Sequence, residues 1–217
     1  MIRSVIFDLD GLLVDSEQNS LQVLNEFLTA YGHPLTRREF AETYSGRSAK
    51  TIISHMLETY DIPLTFAKAR NMIASLEEKY LDAGVSLKTG ATELLAFLKE
   101  NGYLIALATS SYRERAERML AHTHVMPYFT ACVYADEVSH GKPAPDLFLT
   151  AAKKLKTAPS QCLVLEDSEA GIAAAHAAHI PVINIPDMHA PSSTYIAMTV
   201  AQYPSLYDVI TYLEQEH

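Results

Sequence analysis

The first apolar run of the chain is short, continuous and followed at once by acidic residues. Residues 5–7 (Val-Ile-Phe) are all apolar, and Asp8, Asp10 and Gly11 come directly after them. An uninterrupted run of this length is typical of a strand buried on both faces of a parallel sheet. Residues two apart on an extended chain point the same way, so the two carboxylates can face one site.

A helical pattern replaces the strand pattern after this point. Between residues 15 and 86 apolar side chains recur every three or four positions, which indicates amphipathic helices. The first helix is expected to begin near Asp15 or Ser16, either of which could cap it. Further helices are predicted at about 36–44, 48–60 and 66–83, with Gly46, Pro63 and Gly84 between or after them. Because no strand is predicted in this block, we expect an inserted all-helical domain.

From residue 87 onward apolar runs of strand length alternate with helical patterns. Strands are predicted at 103–108, 131–135, 162–166 and 181–185, and helices at 91–101, 112–122, 146–156, 169–178 and 206–216. This alternation predicts an α/β fold with a doubly wound parallel sheet. The expected domains are an α/β core formed by residues 1–14 and 87–217, and a helical cap domain formed by residues 15–86.

Composition and charge narrow the possible partners and the compartment. The 217 residues carry a formal net charge of −9, which argues against general affinity for nucleic acid or anionic membranes. No apolar run approaches the roughly 20 residues of a membrane-spanning helix, and the start of the chain lacks a signal-peptide pattern. We therefore expect a cytoplasmic protein, a monomer or weak dimer, whose two cysteines are reduced and structural.

Polar residues follow each of the later strands, where ligands of a doubly wound sheet bind. Thr109, Ser110 and Ser111 follow the second predicted strand and could hold a phosphate at a helix N-terminus, although hydroxyl residues also commonly cap helices. Lys142 lies in a loop between Gly141 and Pro143, which gives a flexible cation a rigid setting.

Adjacent carboxylates end the strand predicted at 162–166, as they do the first strand. Glu166 and Asp167 would meet Asp8 and Asp10 at one edge of the sheet. Carboxylates held together repel one another unless a cation compensates them, and Mg²⁺ prefers carboxylate, phosphate and water oxygens. The pattern therefore predicts a magnesium site, whereas a simple turn-capping role for Asp8 and Asp10 is the alternative.

Two motifs resemble those of a known family. Residues 7–17 (Phe-Asp-Leu-Asp-Gly-Leu-Leu-Val-Asp-Ser-Glu) resemble the first motif of the haloacid dehalogenase-like hydrolases, and more narrowly that of the small capped phosphatases and β-phosphoglucomutases. The loop 141–146 (Gly-Lys-Pro-Ala-Pro-Asp) is similar to the third motif of the family. The resemblance covers essentially the whole chain, although the helical block matches in architecture more than in residues.

The resemblance implies a phosphoryl-transfer mechanism. Asp8 would attack phosphorus and form an aspartyl-phosphate, while Asp10 would protonate the leaving oxygen and later activate water. Thr109 would bind the phosphoryl group, and Lys142 would neutralise both that group and the nucleophile. The second aspartate and the Glu166–Asp167 pair favour phosphoryl transfer over dehalogenation.

The resemblance also implies a ligand set and substrate contacts. Mg²⁺ would be bound by Asp8, the backbone carbonyl of Asp10, and Asp167, with Glu166 binding directly or ordering a metal-bound water. Leu9 and Ser110 would assist phosphate binding, Ser110 through its amide. Candidate contacts from the helical block are Arg47 and Lys50, which could equally be solvated helix charges.

Three departures bear on the choice between hydrolysis and isomerisation. Ser20 stands where the mutases have a histidine that gates the general acid, and Arg47 and Lys50 are out of register with the mutase arginine. Residues 88–90 read Lys-Thr-Gly where the family usually has Pro-Gly. These features favour hydrolysis of a small phosphomonoester such as a sugar phosphate, with a β-phosphoglucomutase-type isomerase as the alternative. A receiver-like module phosphorylated on aspartate is a third possibility, which the long helical insertion opposes.

Overall fold

A computed structural model describes residues 1–45, 47 and 49–215 of the chain. Gly46, the first residue of the helix predicted at 48–60 and the last residue of the helix predicted at 206–216 lie outside the described residues.

Six parallel strands form one sheet in the order β3-β2-β1-β4-β5-β6. The strands are β1 (Ser4–Phe7), β2 (Leu104–Ala108), β3 (Ala131–Val133), β4 (Cys162–Glu166), β5 (Val182–Asn184) and β6 (Ala201–Gln202). The apolar run at the start of the chain is the central strand, because β1 pairs with β2 on one side and β4 on the other. All four of its residues are buried, as expected for a strand covered on both faces.

Helices cover both faces of the sheet. They are α5 (Ala91–Glu100), α6 (Arg113–Leu120), α7 (Asp146–Leu155), α8 (Glu169–Ala177), α9 (Ser193–Ile196) and α10 (Asp208–Gln215). Val5 and Phe7 pack with side chains of α5, α6 and α10, whereas Ile6 packs with side chains of α7 and α8. Successive residues of β1 thus enter different hydrophobic cores. This arrangement confirms the predicted α/β doubly wound fold.

The helical block forms a unit with its own hydrophobic core. Its helices are α1 (Ser16–Thr29), α2 (Arg37–Thr43), α3 (Ala49–Thr59) and α4 (Phe66–Ala83), here called the helical unit. Phe27, Phe40, Tyr44 and Met56 are among the buried side chains that its helices share. The division of the chain at residues 15 and 86 stays a prediction, but the separate core supports it.

Two linker segments, around residues 13–15 and 86–88, join the helical unit to the sheet and lie side by side. The Asp15 amide donates to the Ser86 carbonyl at 2.8 Å, and the Lys88 amide donates to the Leu13 carbonyl at 2.9 Å. A second connection runs between helices, since Arg118 of α6 forms ion pairs with Glu78 and Asp82 at the end of α4.

Local capping differs from the expectation at the first helix. Asp15 occupies the N-terminal capping position of α1, but its side chain makes no capping hydrogen bond. The Ser16 hydroxyl accepts instead from the Gly11 amide at 3.1 Å, so it stabilises the turn after β1.

The short elements near the C-terminus were not predicted. Helix α9 has four residues and β6 has two, lengths at which periodicity carries no signal. Strand β3 stops at Val133, two residues before the predicted end, because residues 135–137 form a 3₁₀ turn.

Among the described residues, no helix is both long and apolar enough to cross a lipid bilayer.

Candidate active site

The turn after β1 carries the first two acidic residues of the site. Asp8 is only 5% exposed, and its amide donates to the Leu165 carbonyl of β4 at 3.1 Å. Gly11 has φ = +80°, a conformation that L side chains rarely adopt. A Cβ atom there would lie 2.4 Å from Asp167 Oδ2, so this glycine also makes room for a carboxylate from another strand.

Lys142 connects the ends of β1 and β4. Its ammonium group donates to Asp8 Oδ1 and, at 2.5 Å, to Glu166 Oε1, and it lies 4.9 Å from the centre of the Phe148 ring. Burial alone would lower the pKa of Lys142, but the Asp8 and Glu166 carboxylates reverse this effect and raise it. The lysine is therefore held in its charged form between the two acids.

Three carboxylates converge beside this lysine. Asp8, Glu166 and Asp167 each offer an oxygen, and these atoms lie within 4.8 Å of one another. Burial, only partly offset by Lys142, raises the pKa of Asp8 to about 7. Burial also raises the pKa of Asp167, and the nearby charges of Glu166 and Asp8 raise it further. One lysine thus does not compensate three carboxylates, and oxygen ligands of this kind suit a hard divalent cation such as Mg²⁺.

Contacts behind Glu166 fix the direction of its side chain. Glu166 is fully buried, and its Oε2 accepts from the amide of Ser168 at 2.8 Å and from the hydroxyl at 2.9 Å. A Cβ atom on Gly171 would lie 1.7 Å from Glu166 Oε1, so α8 can approach this carboxylate only because residue 171 has no side chain. The first turn of α8 therefore holds Glu166 against Lys142.

The Asp10 carboxylate lies apart from this cluster. Its Oδ2 accepts from the Ser111 hydroxyl at 2.7 Å, and its Oδ1 accepts from Arg115 Nη1 at 2.8 Å. Asp8, Asp10 and Thr109 are thus at neighbouring strand ends, but the Asp10 side chain points toward the N-terminus of α6 and not toward the other carboxylates.

The proposed phosphate-binding residues occupy different positions. Thr109 is 1% exposed, and its Oγ1 accepts from the Ser111 amide at 2.9 Å at the start of the loop that leads into α6. Ser110, the next residue, is exposed. Leu9 is buried, and its carbonyl accepts from the amides of Leu13 and Val14, which closes the turn after β1.

A cavity of about 550 Å³ opens between the helical unit and the acidic cluster. Charged and polar side chains line it from the helical unit and from the α/β part of the chain. They include Glu17, Glu42, Ser45, Arg47, Asp167, Ser168, Glu169, Asp187, His189 and Tyr195. Arg47, predicted as a substrate contact, therefore lines this cavity. Lys50, the other candidate, is exposed on α3 and is not among the lining residues.

Several residues of the site carried no assigned role in the sequence analysis. Lys88 and Asp187 form an ion pair of 2.6 Å, and Asp187 lies three residues beyond the end of β5. The strand-end rule used for the other residues could have found this aspartate. Arg115 of α6 likewise had no assigned role, and it holds Asp10 together with Ser111 from the loop before the helix.

Comparison with known proteins agrees with this geometry. The family model for haloacid dehalogenase-like hydrolases matches residues 5–185. A pseudouridine-5'-phosphatase of Drosophila melanogaster, named as probable, is 36% identical over 195 residues, which cover 86% of this chain and 82% of the relative. A bifunctional riboflavin kinase/FMN phosphatase of Arabidopsis thaliana is 35% identical over 193 residues, or 88% of this chain, but the match spans only half of that longer protein.

Solved structures show the same architecture. A haloacid dehalogenase family hydrolase of Deinococcus radiodurans, solved with bound phosphate and sodium, superposes with a TM-score of 0.88 at 25% identity, over 99% of this chain and 96% of the other. The predicted resemblance is confirmed. With the motif residues gathered at one sheet edge and a family match over most of its length, the chain belongs to the haloacid dehalogenase-like hydrolases, among relatives that are named phosphatases.

Proposed function

We propose that the protein hydrolyses a small phosphomonoester, such as a sugar phosphate, through an aspartyl-phosphate on Asp8. The observation that carries this proposal is the position of Lys142 between the buried Asp8 and Glu166, beside Asp167 and below a cavity large enough for a small metabolite. A buried lysine that neutralises a nucleophilic carboxylate also offers charge compensation for a phosphoryl group.

The bond changes assign a task to each residue. Asp8 attacks phosphorus, the bond to the leaving oxygen breaks, and Asp10 gives that oxygen a proton. In the second half, Asp10 takes a proton from water, which attacks the aspartyl-phosphate and releases phosphate. Thr109 and the Ser110 amide bind the phosphoryl oxygens in this proposal, and the Leu9 turn keeps Asp8 and Asp10 in place.

The acidic cluster fits Mg²⁺ as the cofactor. Asp8, Asp167 and the backbone carbonyl of Asp10 would hold the ion, with Glu166 binding directly or through water. When bound, Mg²⁺ supplies positive charge that stabilises the phosphoryl oxygens in the transition state. Burial raises the pKa of Asp8 and of Asp167 and the neighbouring carboxylates raise both further, so a bound cation would favour the charged form of each.

The charge of the cavity favours a monophosphate with hydroxyl groups. The carboxylates of four further residues line it: Glu17, Glu42, Glu169 and Asp187. Among the described lining residues, Arg47 is the only lysine or arginine. Carboxylates accept hydrogen bonds from hydroxyls but repel a second phosphate. A bisphosphate, which a phosphoglucomutase must bind, fits this lining poorly, so hydrolysis is favoured over isomerisation.

Phosphorus NMR with magnesium, β-glucose 1-phosphate and a trace of glucose 1,6-bisphosphate tests the proposal. We expect inorganic phosphate to accumulate over many turnovers, and Asp8→Asn to slow its release by at least about a thousandfold. Glucose 6-phosphate without free phosphate would show a mutase instead. A single phosphorylation event without turnover would indicate a receiver-like module. If glucose phosphates do not react, a panel of other phosphomonoesters decides whether the chain is a phosphatase.

A further inference from the structure

Asp10 is held by a closed set of three hydrogen bonds. Arg115 Nη1 donates to Asp10 Oδ1 and also to the Ser111 hydroxyl, and that hydroxyl donates to Asp10 Oδ2. Every partner in this triangle is therefore a donor toward the carboxylate. Both oxygens of Asp10 are thus occupied by partners in or just before α6, and in this arrangement neither faces a leaving group.

The triangle also lies away from the large cavity. Asp10, Ser111 and Arg115 are absent from the described lining of the 550 Å³ cavity, which contains Asp167 and Arg47. Arg115 instead lines a separate cavity of about 30 Å³ between α6 and the helical unit. The acid residue of the proposed mechanism is thus held by a residue that lines the small cavity beside the helical unit, and not by one that lines the large cavity.

A second carboxylate, that of Glu77 in the helical unit, lines the same cavity as Arg115. Glu77 of α4 lines the same small cavity, together with Ser16, Asn19 and Ser20 of α1. Partial desolvation raises the pKa of Glu77, and the charge of Arg115 opposes that rise, so the two side chains act on each other. Arg115 therefore has an acidic neighbour on each side: Asp10 from the core and Glu77 from the helical unit.

We propose that Arg115 is a positioning residue that holds Asp10 in a resting orientation and releases it when Glu77 takes over the guanidinium. A movement of α4 toward α6 strengthens the Glu77 contact, frees Asp10 to rotate toward the leaving oxygen, and so links the position of the helical unit to proton transfer. The inference rests on the proposed function, because it takes Asp10 as the proton donor.

The ratio of kcat/KM for two substrates with different leaving groups tests this inference, because a purely structural role of Arg115 would change both values equally. The substrates are β-glycerophosphate, whose alkoxide must be protonated as it leaves, and p-nitrophenyl phosphate, whose phenolate leaves without an acid. For Arg115→Ala, kcat/KM with β-glycerophosphate should rise about fivefold, the equivalent of releasing one partly exposed ion pair, while kcat/KM with p-nitrophenyl phosphate stays unchanged. Equal changes with both substrates would overturn the inference.

A double-mutant cycle tests the exchange with Glu77. Glu77→Gln removes the competing charge, so Arg115 should hold Asp10 more tightly and kcat/KM with β-glycerophosphate should fall about threefold. The same substitution in the Arg115→Ala background should have no effect, and an equal effect in both backgrounds would contradict the exchange. Arg118→Ala is the matched control, because Arg118 also joins α6 to α4 but makes no contact with Asp10. It should leave the ratio of the two kcat/KM values unchanged.

A readout without catalysis separates this inference from the proposed function. In ¹⁵N-arginine NMR, the Arg115 guanidinium signal should shift in Asp10→Asn and in Glu77→Gln, and should stay in place in Asp8→Asn. A signal that does not respond to Asp10→Asn would refute the inference even if the enzyme releases phosphate. A signal that shifts as expected would support it even if the substrate class proves different.

Discussion

The ammonium group of Lys88 lies 2.6 Å from the carboxylate of Asp187, and the two side chains are 19% and 7% exposed. The pair joins the linker that returns from the helical unit to the loop after β5. The other oxygen of Asp187 is buried without a hydrogen-bond partner among the described residues. Lys88 is therefore the hydrogen-bonded cation of the Asp187 carboxylate, which lines the cavity of about 550 Å³.

Replacing Lys88 by methionine should destabilise the protein. The change leaves Asp187 buried without its partner, so we expect the free energy of unfolding to fall by roughly 2–4 kcal/mol in urea denaturation. Arg38→Met is the control, because Arg38 and Glu42 form a fully solvated pair whose loss should cost less than about 0.5 kcal/mol. Equal losses in the two variants would show that the Lys88 pair is no stronger than a surface pair.

The cost of Lys88→Met should depend on pH. Burial raises the pKa of Asp187 above its value in the unfolded chain, and Lys88 lowers it. Without Lys88 the folded-state pKa rises further, so the variant loses stability as the pH rises through that value and the carboxylate must ionise. The difference between parent and variant should be largest near pH 7 and shrink toward about pH 4, where Asp187 becomes neutral in both. A difference independent of pH in denaturation curves would contradict this account.

Magnesium should stabilise the folded protein through the acidic cluster. At a concentration a hundred times its dissociation constant, the ion should add about 2.7 kcal/mol to the free energy of unfolding, seen as a rise in Tm that EDTA reverses. Asp167→Asn should abolish most of this rise. Glu58→Gln removes an exposed carboxylate of α3 and should leave it intact. A rise that survives in Asp167→Asn would place the ion elsewhere.

Adding one methyl group at residue 171 should disturb Glu166. In Gly171→Ala the new Cβ would overlap the Glu166 carboxylate, which has no free space because it is fully buried. We expect a loss of about 1–3 kcal/mol in stability together with reduced turnover, measured by thermal denaturation and phosphate release. Gly141→Ala is the control for stability, because a Cβ there meets no atom within 4 Å. Similar losses in both variants would rule out the overlap as the cause.

The two cysteines should both react more slowly than exposed thiols. Burial raises the pKa of Cys162 to about 11, and it also raises the pKa of Cys132. Because the thiolate is the reactive form, neither should react quickly with iodoacetamide at pH 7.5 in the native protein. Both should react in urea at the same pH, as mass spectrometry can show. Rapid native labelling of Cys162 would contradict its burial at the start of β4.

Much of the architecture could be predicted because each strand of the sheet centre is an apolar run with a polar end. Asp8, Thr109 and Glu166 come to one edge since parallel strands end there, and no knowledge of side-chain packing was needed. The roles of these residues stay predictions. The Arg115 contact could not be foreseen in the same way, because it depends on how far α6 is rotated. Periodicity at the start of a helix does not determine that rotation.

The pairing of Lys88 with Asp187 was beyond prediction for a different reason. It depends on the paths of a linker and a loop, and neither has a repeating pattern. Ser20, by contrast, was placed in the first helix of the cap by the family resemblance, and it lines the small cavity beside Arg115. Sequence periodicity thus locates residues within elements, while contacts between irregular segments require the folded structure.

The central position of β1 determines the order in which the protein can assemble. Val5 pairs with Ile105 and with Leu163, which lie 100 and 158 positions later in the chain (105 − 5 and 163 − 5). During synthesis β1 must therefore wait with both edges unpaired while the ribosome makes the helical unit, and with one edge unpaired after β2 is made until β4 emerges. The contacts of α1–α4 span far fewer residues, so these helices can pack first. Chaperone binding to nascent chains should accordingly concentrate on residues 4–7 until β4 has emerged.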